Sequence, residues 1–272
     1  MILRKIVNNF FYIVCLYLRD SKLLKSLYSL CCTYILIYEN YNWNINENGE
    51  GHLIKKISKV LKNKSIIFDV GAYEGEWTKY FLNYDNNFSF HLFEMNKEKT
   101  IKYKNLSGDI KINNFALGNY NSNDAIYYLP INTPDTSSLI ENYHIKFEKK
   151  NQFLKKKCKI MKGDNYIKLN KLKKIDFLKI DTEGYELEVL KGFEKSLIHK
   201  KIKYIQFEFV REFYLRSKST FYEIYYFLTK KNYKIYKIYP NKFIEIKNYS
   251  IDLEFSKYGN FLATKLSNFK KI

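Results

Sequence analysis

The hydrophobic and polar positions of this chain alternate between two spacings over most of its length. Short apolar runs rich in β-branched and aromatic residues predict buried strands at 65–70, 88–93, 110–117, 175–180, 203–209, 233–239 and 260–265. Apolar positions at helical spacing predict helices at 52–61, 77–82, 97–106, 185–190 and 220–228. Because strands and helices alternate, the pattern favours an α/β fold with a mostly parallel sheet and helices on both of its faces.

The alternation is interrupted after the third predicted strand. Two short strands are predicted at 125–129 and 157–161, on either side of a loop rich in Pro, Thr and Ser at 130–138. We therefore expect a β insertion that lies over the sheet edge.

The first forty residues have a different pattern, with apolar runs at 10–18 and 26–38 separated by a charged stretch. Neither run reaches the ~20 residues that span a bilayer. Arg19 and Asp20 stand where a signal peptide would have the small residues of its cleavage site. The pattern predicts an N-terminal helical extension over 1–47 and a principal domain over 48–272. The helices of residues 1–38 either pack on that domain or make peripheral contact with a membrane through apolar and basic side chains.

The net charge of +19 is compatible with an anionic partner, either nucleic acid or a membrane surface. The lysines are scattered, however, and the abundance of Lys, Asn, Ile and Tyr is typical of an AT-rich genome, which disfavours nucleic-acid binding. The four cysteines show no C-x-x-C pair, so a zinc site or disulfide framework is disfavoured. A reducing compartment is favoured, either the cytoplasm or the inner face of its membrane.

The most informative stretch is 65–75, SIIFDVGAYEG, in which a buried strand runs into a turn with two glycines. Gly71 and Gly75 allow a ligand to approach the main chain, and a helix beginning near Glu76 would direct free N–H groups to the same place. Such turns bind nucleotides, although a purely structural turn is the alternative for the glycines alone. Glu94 ends the next strand about twenty residues later, where a carboxylate accepts hydrogen bonds from ribose hydroxyls.

Further carboxylates follow the predicted strands, and ligands of open parallel sheets bind beyond the carboxyl ends of the strands. Asp181 ends the fourth predicted strand, Glu183 follows two residues later, and Glu208 lies in the fifth strand. Burying Glu208 among apolar residues costs on the order of several kcal/mol without a partner. Glu208 therefore either makes an internal bond, for instance to Lys179 or a backbone amide, or belongs to a functional site together with Asp181.

Five motifs carry a resemblance to a known family. They are DVGAYEG at 69–75, FEMNK at 93–97, NNFALGN at 113–119, DFLKIDTEGYELEVLKG at 176–192 and QFEF at 206–209. In this order and at these separations the chain resembles the FkbM-type methyltransferases, over about residues 48–265. The resemblance implies a Rossmann-like methyltransferase sheet of seven strands, with S-adenosylmethionine as the cofactor.

By position, the resemblance assigns cofactor binding to Asp69, Gly71, Ala72, Gly75, Glu94, Ala116 and Leu117. Of these, Glu94 would bind the ribose, and the last two residues would line the adenine. Tyr73 stands where the family commonly has Asn, and Met95 stands where Pro usually follows the acidic residue. These departures imply reshaped pocket edges, and the first fifty residues have no counterpart in the family pattern.

The family methylates hydroxyl oxygens, often on sugars, which implies an O-methyltransferase acting on a surface glycan or a glycosylated metabolite. Such a reaction needs a base to remove the hydroxyl proton, and the candidates are Asp181, Glu183 and Glu208. A divalent cation between these carboxylates is a second option. We favour it less, and assign no metal, because three carboxylates complete only part of the shell of a hard ion.

Two rival functions are a nucleic-acid methyltransferase and a cofactor-binding, membrane-associated protein without turnover. Enzymes that methylate an exocyclic amine usually have Asn or Asp, Pro, Pro and an aromatic residue after the fourth strand, where this chain reads DTEG at 181–184. This difference favours an oxygen acceptor. The three acidic residues near the predicted ligand site argue against a protein without turnover.

Overall fold

An eight-stranded sheet lies at the centre of the fold in the computed structural model, which describes residues 2–84, 87–131, 136–140, 153–211, 219–255 and 258–266. The strands are β1 (Ile66–Val70), β2 (Ser89–Phe93), β3 (Asp109–Asn113), β4 (Ala116–Gly118), β5 (Ser122–Pro130), β6 (Phe153–Lys162), β7 (Ile175–Ile180), β8 (Ile202–Phe209), β9 (Lys234–Tyr239), β10 (Lys242–Ile246) and β11 (Gly259–Thr264). The α-helices are α1 (Ile2–Leu18), α2 (Lys22–Tyr38), α3 (Glu50–Val60), α4 (Glu76–Leu82), α5 (Gly163–Leu169), α6 (Glu186–Gly192), α7 (Glu194–Ile198) and α8 (Phe221–Thr229).

The strand order of the central sheet is β10-β9-β11-β8-β7-β1-β2-β3. From β3 to β8 all neighbouring strands are parallel, whereas β11 is antiparallel to both β8 and β9, and β10 is antiparallel to β9. The predicted α/β fold with a mostly parallel sheet is thus confirmed. The carboxyl ends of β1, β2, β7 and β8 lie at one edge, where open parallel sheets bind their ligands.

The sheet has one strand more than the seven that the resemblance implies. After β9 the chain reverses at Pro240 and Asn241, and Lys242–Ile246 then pairs with β9 as an antiparallel edge strand. Lys242 and Glu245 interrupt the apolar pattern of this segment, which an edge strand tolerates because one side faces solvent. The additional strand therefore gave no apolar run that sequence analysis could detect.

The predicted strand 110–117 is wrong as a single element, because the chain forms two strands there. β3 pairs with β2 at the edge of the central sheet, whereas β4 belongs to a separate sheet of order β4-β6-β5. Between them the chain turns, and Asn114 Nδ2 donates to the Glu94 carbonyl oxygen at 2.9 Å. The second sheet contains the strands predicted at 125–129 and 157–161, so the β insertion is confirmed, although part of its loop lies outside the described residues.

Apolar side chains pack on both faces of the central sheet, since strands between two helical layers are buried on both sides. On one face, α3 and α4 contribute Leu53, Ile54, Ile57, Trp77 and Phe81. On the other face, α5 to α8 contribute Tyr166, Leu187, Leu190, Leu197, Ile224 and Leu228. The predicted placement of helices on both faces therefore agrees with the structure.

The chain divides into two compact units, Met1–Tyr41 and Asn42–Ile272. The first unit contains α1 and α2, the two helices predicted in the extension, and α2 buries none of its residues. Ser21 caps α2 by accepting a hydrogen bond from the Leu24 N–H at 3.3 Å. In the part of the chain that the structure describes, no helix combines the length and apolarity needed to cross a membrane.

The second unit begins at Asn42, six residues before the expected boundary at 48. The N–H of Asn48 donates to the Asn44 carbonyl oxygen at 2.8 Å, and the N–H of Gly51 donates to that of Ile45 at 2.9 Å. The first bond folds the polar stretch before α3, and the second joins this stretch to the helix itself. The stretch is therefore part of the larger unit.

Candidate active site

The glycine turn between β1 and α4 is held against the ends of two neighbouring strands. The N–H groups of Gly71 and Ala72 donate to the Phe93 carbonyl oxygen at 3.0 and 3.1 Å. Gly71 has a φ of +78°, and a Cβ atom there would lie 1.7 Å from the backbone oxygen of Asp181. Both conformation and space therefore require glycine at this position. Gly75, with a φ of +79°, immediately precedes α4.

Glu94 follows β2, and its side chain is hydrogen-bonded to this turn. Its carboxylate accepts hydrogen bonds from the N–H of Tyr73 at 3.0 Å and from the N–H of Asn96 at 2.7 Å. Burial raises the pKa of Glu94 to about 7, although the two backbone hydrogen bonds oppose the shift. Each carboxylate oxygen has a second lone pair, so Glu94 keeps the capacity to accept hydrogen bonds from a ligand.

A cavity of about 520 Å³ opens at the carboxyl ends of these strands, and this volume is typical of small-molecule sites. Five of the seven residues predicted to bind the cofactor line it, namely Gly71, Ala72, Glu94, Ala116 and Leu117. Asp69 and Gly75 are not among its lining residues. Asp69 is fully buried, accepts a hydrogen bond from Thr78 Oγ1 at 2.7 Å and lies 3.5 Å from Lys179 Nζ. Asp69 therefore ties β1 to α4 and β7.

Three carboxylates meet in the same cavity, because β7 and β8 are parallel neighbours. Oxygens of Asp181, Glu183 and Glu208 all lie within 4.8 Å of one another. Glu208 is 9% exposed, and burial raises its pKa well above the ordinary value. The negative charges of Asp181 and Glu183 raise this pKa further.

A buried cation, Lys179, lies next to these carboxylates. Its Nζ is 3.1 Å from Asp181 Oδ2 and 3.5 Å from Asp69 Oδ1. Burial alone would lower the pKa of Lys179, but the charges of Asp181, Asp69 and Glu50 outweigh it and raise the pKa, so the ammonium stays charged. The alternative that Lys179 pairs with Glu208 is wrong, because Lys179 is shared between the two aspartates.

Sequence analysis missed several lining residues, among them Trp43, Glu50, Lys179 and Tyr258. Glu50 begins α3 and accepts hydrogen bonds from Asn48 Nδ2, at 2.7 Å, and from Gln206 Nε2. Burial raises the pKa of Glu50, and the opposing charge of Lys179 lowers it. Gln206, a polar residue in an apolar strand, indicated that a buried partner was needed, but no signal in the sequence identified Glu50 as that partner.

Trp43 and Tyr258 place aromatic rings at the cavity, with ring centroids 6.0 Å apart in an edge-to-face arrangement. Trp43 is 67% exposed, whereas Tyr258 is buried. The signal for Trp43 was its position in a polar stretch, since an exposed tryptophan often marks a binding surface.

The β insertion also reaches the cavity. Ser137 and Leu139 line it, and Ser138 Oγ donates to the Glu183 carbonyl oxygen at 3.0 Å. The backbone of Ser138 pairs with that of Tyr128 on β5 at 2.8 and 3.1 Å. The insertion therefore contacts the segment that carries the carboxylates.

Comparison of the sequence with models of known families identifies the family of this chain. The sequence model of the family described as Methyltransferase FkbM domain matches residues 69–235, more than half of the chain. The chain belongs to the FkbM methyltransferase family. This FkbM methyltransferase uses S-adenosylmethionine as its cofactor, so the predicted family and cofactor are both confirmed. The match includes Glu94 and the three carboxylates at Asp181, Glu183 and Glu208.

Several solved methyltransferase structures are similar to this FkbM methyltransferase. The plantazolicin methyltransferase BpumL, in complex with SAH, is 11% identical, with 91% of this chain and 92% of that chain covered and a TM-score of 0.42. An rRNA methylase from Streptococcus thermophilus is 11% identical, with 79% and 95% covered and a TM-score of 0.42. A SAM-dependent O-methyltransferase from Thermotoga maritima is 12% identical, with 80% and 65% covered and a TM-score of 0.38. No curated protein sequence matches the chain.

Proposed function

We propose that this FkbM methyltransferase transfers the methyl group to a hydroxyl oxygen of a sugar. The observation that carries the proposal is the meeting of Asp181, Glu183 and Glu208 in the cavity that Glu94 also lines. A hydroxyl is a weak nucleophile until its proton is removed, and a positioned carboxylate is suited to that task. The three carboxylates are the proposed catalytic residues.

The other part of the cavity suits an adenosyl group. Glu94 would accept hydrogen bonds from the ribose hydroxyls, and Ala116 and Leu117 offer apolar surface for the adenine. At Gly71 and Ala72 the side chains are too small to keep a ligand from the main chain. When bound, S-adenosylmethionine supplies an electrophilic methyl group, with its sulfonium as the leaving group.

The proton of the acceptor hydroxyl passes to a carboxylate as the oxygen bonds to the methyl carbon. Glu208, with its raised pKa, is a strong base once it is ionised. Asp181 is held by Lys179 at 3.1 Å and is 35% exposed, so it can pass the proton to solvent. The charge of Lys179 limits the repulsion among the carboxylates.

The charges and aromatic rings of the cavity support a neutral sugar over nucleic acid. Among the described lining residues, acidic side chains outnumber basic ones six to one, which would repel a polyanion. Sugar hydroxyls can instead donate hydrogen bonds to these carboxylates. The exposed ring of Trp43, beside Tyr258, offers an apolar surface for the C–H face of a sugar.

Labelled methyl transfer to a panel of glycosides, oligosaccharides, DNA and RNA tests this proposal. We expect label in a sugar as a methyl ether, stable to mild alkali and identified by mass after acid hydrolysis. Asp181→Asn and Glu208→Gln should each lower kcat by about a hundredfold or more. Asp124→Asn, which changes a carboxylate that is 74% exposed, is the matched control. Label in nucleic acid, or in an alkali-labile ester, would contradict the proposal.

We also propose that α1 and α2 make peripheral contact with an anionic membrane surface. Both helices expose large apolar side chains, including Phe10 at 61% and Leu30 at 65%. They also carry the basic residues Arg4, Lys5, Lys22 and Lys25. Apolar and basic side chains on helices too short to cross a bilayer are typical of interfacial binding.

A further inference from the structure

Glu208 differs from the other buried acidic residues that the structure describes. Five of the six have a hydrogen-bond donor, namely Glu50, Asp69, Glu94, Asp176 and Glu186. No described residue donates a hydrogen bond to Glu208 or forms an ion pair with it, although its side chain lines the cavity and is 9% exposed. Its neighbour on β11, Asn260, donates to the Tyr258 hydroxyl at 3.0 Å instead. Such a carboxylate is costly unless something in the cavity compensates its charge.

The surroundings of Glu208 add negative charge. Asp181 and Glu183 place oxygens within 4.8 Å of those of Glu208. The buried cation beside Asp181, Lys179, is already divided between Asp69 and Asp181. Lys179 is therefore not a partner of Glu208.

We propose that Asp181, Glu183 and Glu208 bind one divalent cation of the hard, oxygen-preferring class, such as Mg²⁺ or Mn²⁺. Carboxylate oxygens are the ligands that these ions prefer, and the ions usually keep several waters in their shell. Three carboxylates with water molecules are therefore an ordinary coordination shell for these ions, and the small number of protein ligands does not argue against a metal site. The ion would compensate the charge of Glu208, which has no described hydrogen-bond donor, and would hold the three carboxylates together.

The role of the ion in the reaction rests on the proposed function. A cation held by these carboxylates would bind the acceptor hydroxyl and make its proton easier to remove. It would also keep Glu208 ionised, because an adjacent positive charge favours the carboxylate form. The binding site itself does not depend on which acceptor is methylated.

Titration of the full-length protein with Mn²⁺, followed by the electron paramagnetic resonance of the free ion, tests the site without cofactor or acceptor. We expect the free-ion signal to fall with a stoichiometry of one ion per chain. Glu208→Gln and Glu183→Gln should each weaken binding by about tenfold or more. Asp124→Asn, an exposed carboxylate paired with Lys157, should bind Mn²⁺ as the unchanged protein does. Circular dichroism establishes whether each variant is folded. If Glu208→Gln does not fold, Glu183→Gln tests the site at a less buried position.

An undiminished free-ion signal at about 1 mM Mn²⁺ would overturn the proposal, as would equal binding by folded Glu208→Gln or Glu183→Gln. Failure of the site and failure of the proposed function are distinguishable. A protein that methylates a sugar at full rate in the presence of a chelator lacks the ion but keeps the function. A protein that binds Mn²⁺ at these residues, and methylates nucleic acid, keeps the site but not the proposed acceptor.

Discussion

At the scale of single residues, Glu94 is a buried carboxylate that titrates near neutral pH, because burial raises its pKa to about 7. Ribose hydroxyls donate to a carboxylate, so the ligand should prefer the ionised form. Affinity should therefore rise as the pH rises through the pKa and level off above it. Between about pH 6 and about pH 8 we expect S-adenosylhomocysteine to bind about tenfold more tightly at the higher pH. Tryptophan fluorescence can report this binding, because both tryptophans of the chain, Trp43 and Trp77, line the cavity.

Two substitutions isolate the contribution of Glu94. Glu94→Gln removes the titrating group and should flatten the pH dependence. Glu94→Ala removes the acceptor and should weaken cofactor binding by roughly 2–4 kcal/mol, the worth of two hydrogen bonds to a charged group. A Glu94→Gln protein with an unchanged pH profile would show that another group titrates.

Gly71 and Gly75 differ in what an added methyl group would meet, although both have a positive φ. Gly75→Ala would place its Cβ atom 3.1 Å from the side chains of Tyr103 and Leu106, which can adjust. It should lower the free energy of unfolding by about 1–2 kcal/mol, the cost of the left-handed conformation. Gly71→Ala should cost more and abolish cofactor binding, because its Cβ atom would collide with the Asp181 backbone. Urea unfolding of both variants checks the order, which equal losses would contradict.

At the scale of elements, apolar periodicity predicted the buried strands. It did not predict the elements whose limits are set by turns. The interval predicted at 175–180 is that of β7, all of whose residues are buried. The split of 110–117 occurs at a turn where Asn114 Nδ2 donates to the carbonyl oxygens of Glu94 and Met95, and β10 follows a turn at Pro240. Neither feature produces a periodic signal.

Some residues of the candidate site could be predicted from the sequence, and others could not. Asp181 and Glu208 could be placed together from the sequence, because both lie near the carboxyl ends of predicted strands, where open parallel sheets bind their ligands. Glu50 could not, since it reaches the site through contact with Gln206, which is 156 residues away in sequence. Packing between such distant segments follows from the folded backbone and leaves no local pattern.

The helices α1 and α2 carry a prediction of their own. The full-length protein should float with vesicles that contain anionic lipid, more weakly with neutral vesicles, and less at high salt, because salt screens the basic residues. A protein that begins at Asn42 should stay in the dense fractions. Vesicle flotation of both proteins measures this, and the membrane contact is refuted if neither floats.

At the scale of the whole molecule, the position of the unit boundary can be tested by truncation. A chain that begins at Asn42 should unfold at nearly the temperature of the same unit in the full-length protein. A chain that begins at Asn48, the boundary expected from sequence, loses Trp43 and Ile45, and with them the backbone hydrogen bond from Gly51 in α3 to Ile45. Each kcal/mol lost should lower Tm by about 2–4 °C. Calorimetry of both truncated proteins decides, and equal Tm values would favour the later boundary.

Two groups of residues line the cavity, and they differ in how well they should tolerate substitution. Gly71, Glu94 and Asp181 follow neighbouring parallel strands, and the contact between Gly71 and the Asp181 backbone leaves no space for adjustment. The segments 43–45, 137–139 and Tyr258 reach the cavity from outside those strands. If the acceptor binds against these peripheral segments, as proposed for Trp43 and Tyr258, we expect their exchange to change the acceptor preference and to leave cofactor binding unchanged. The fold is therefore a natural starting point for grafted specificity.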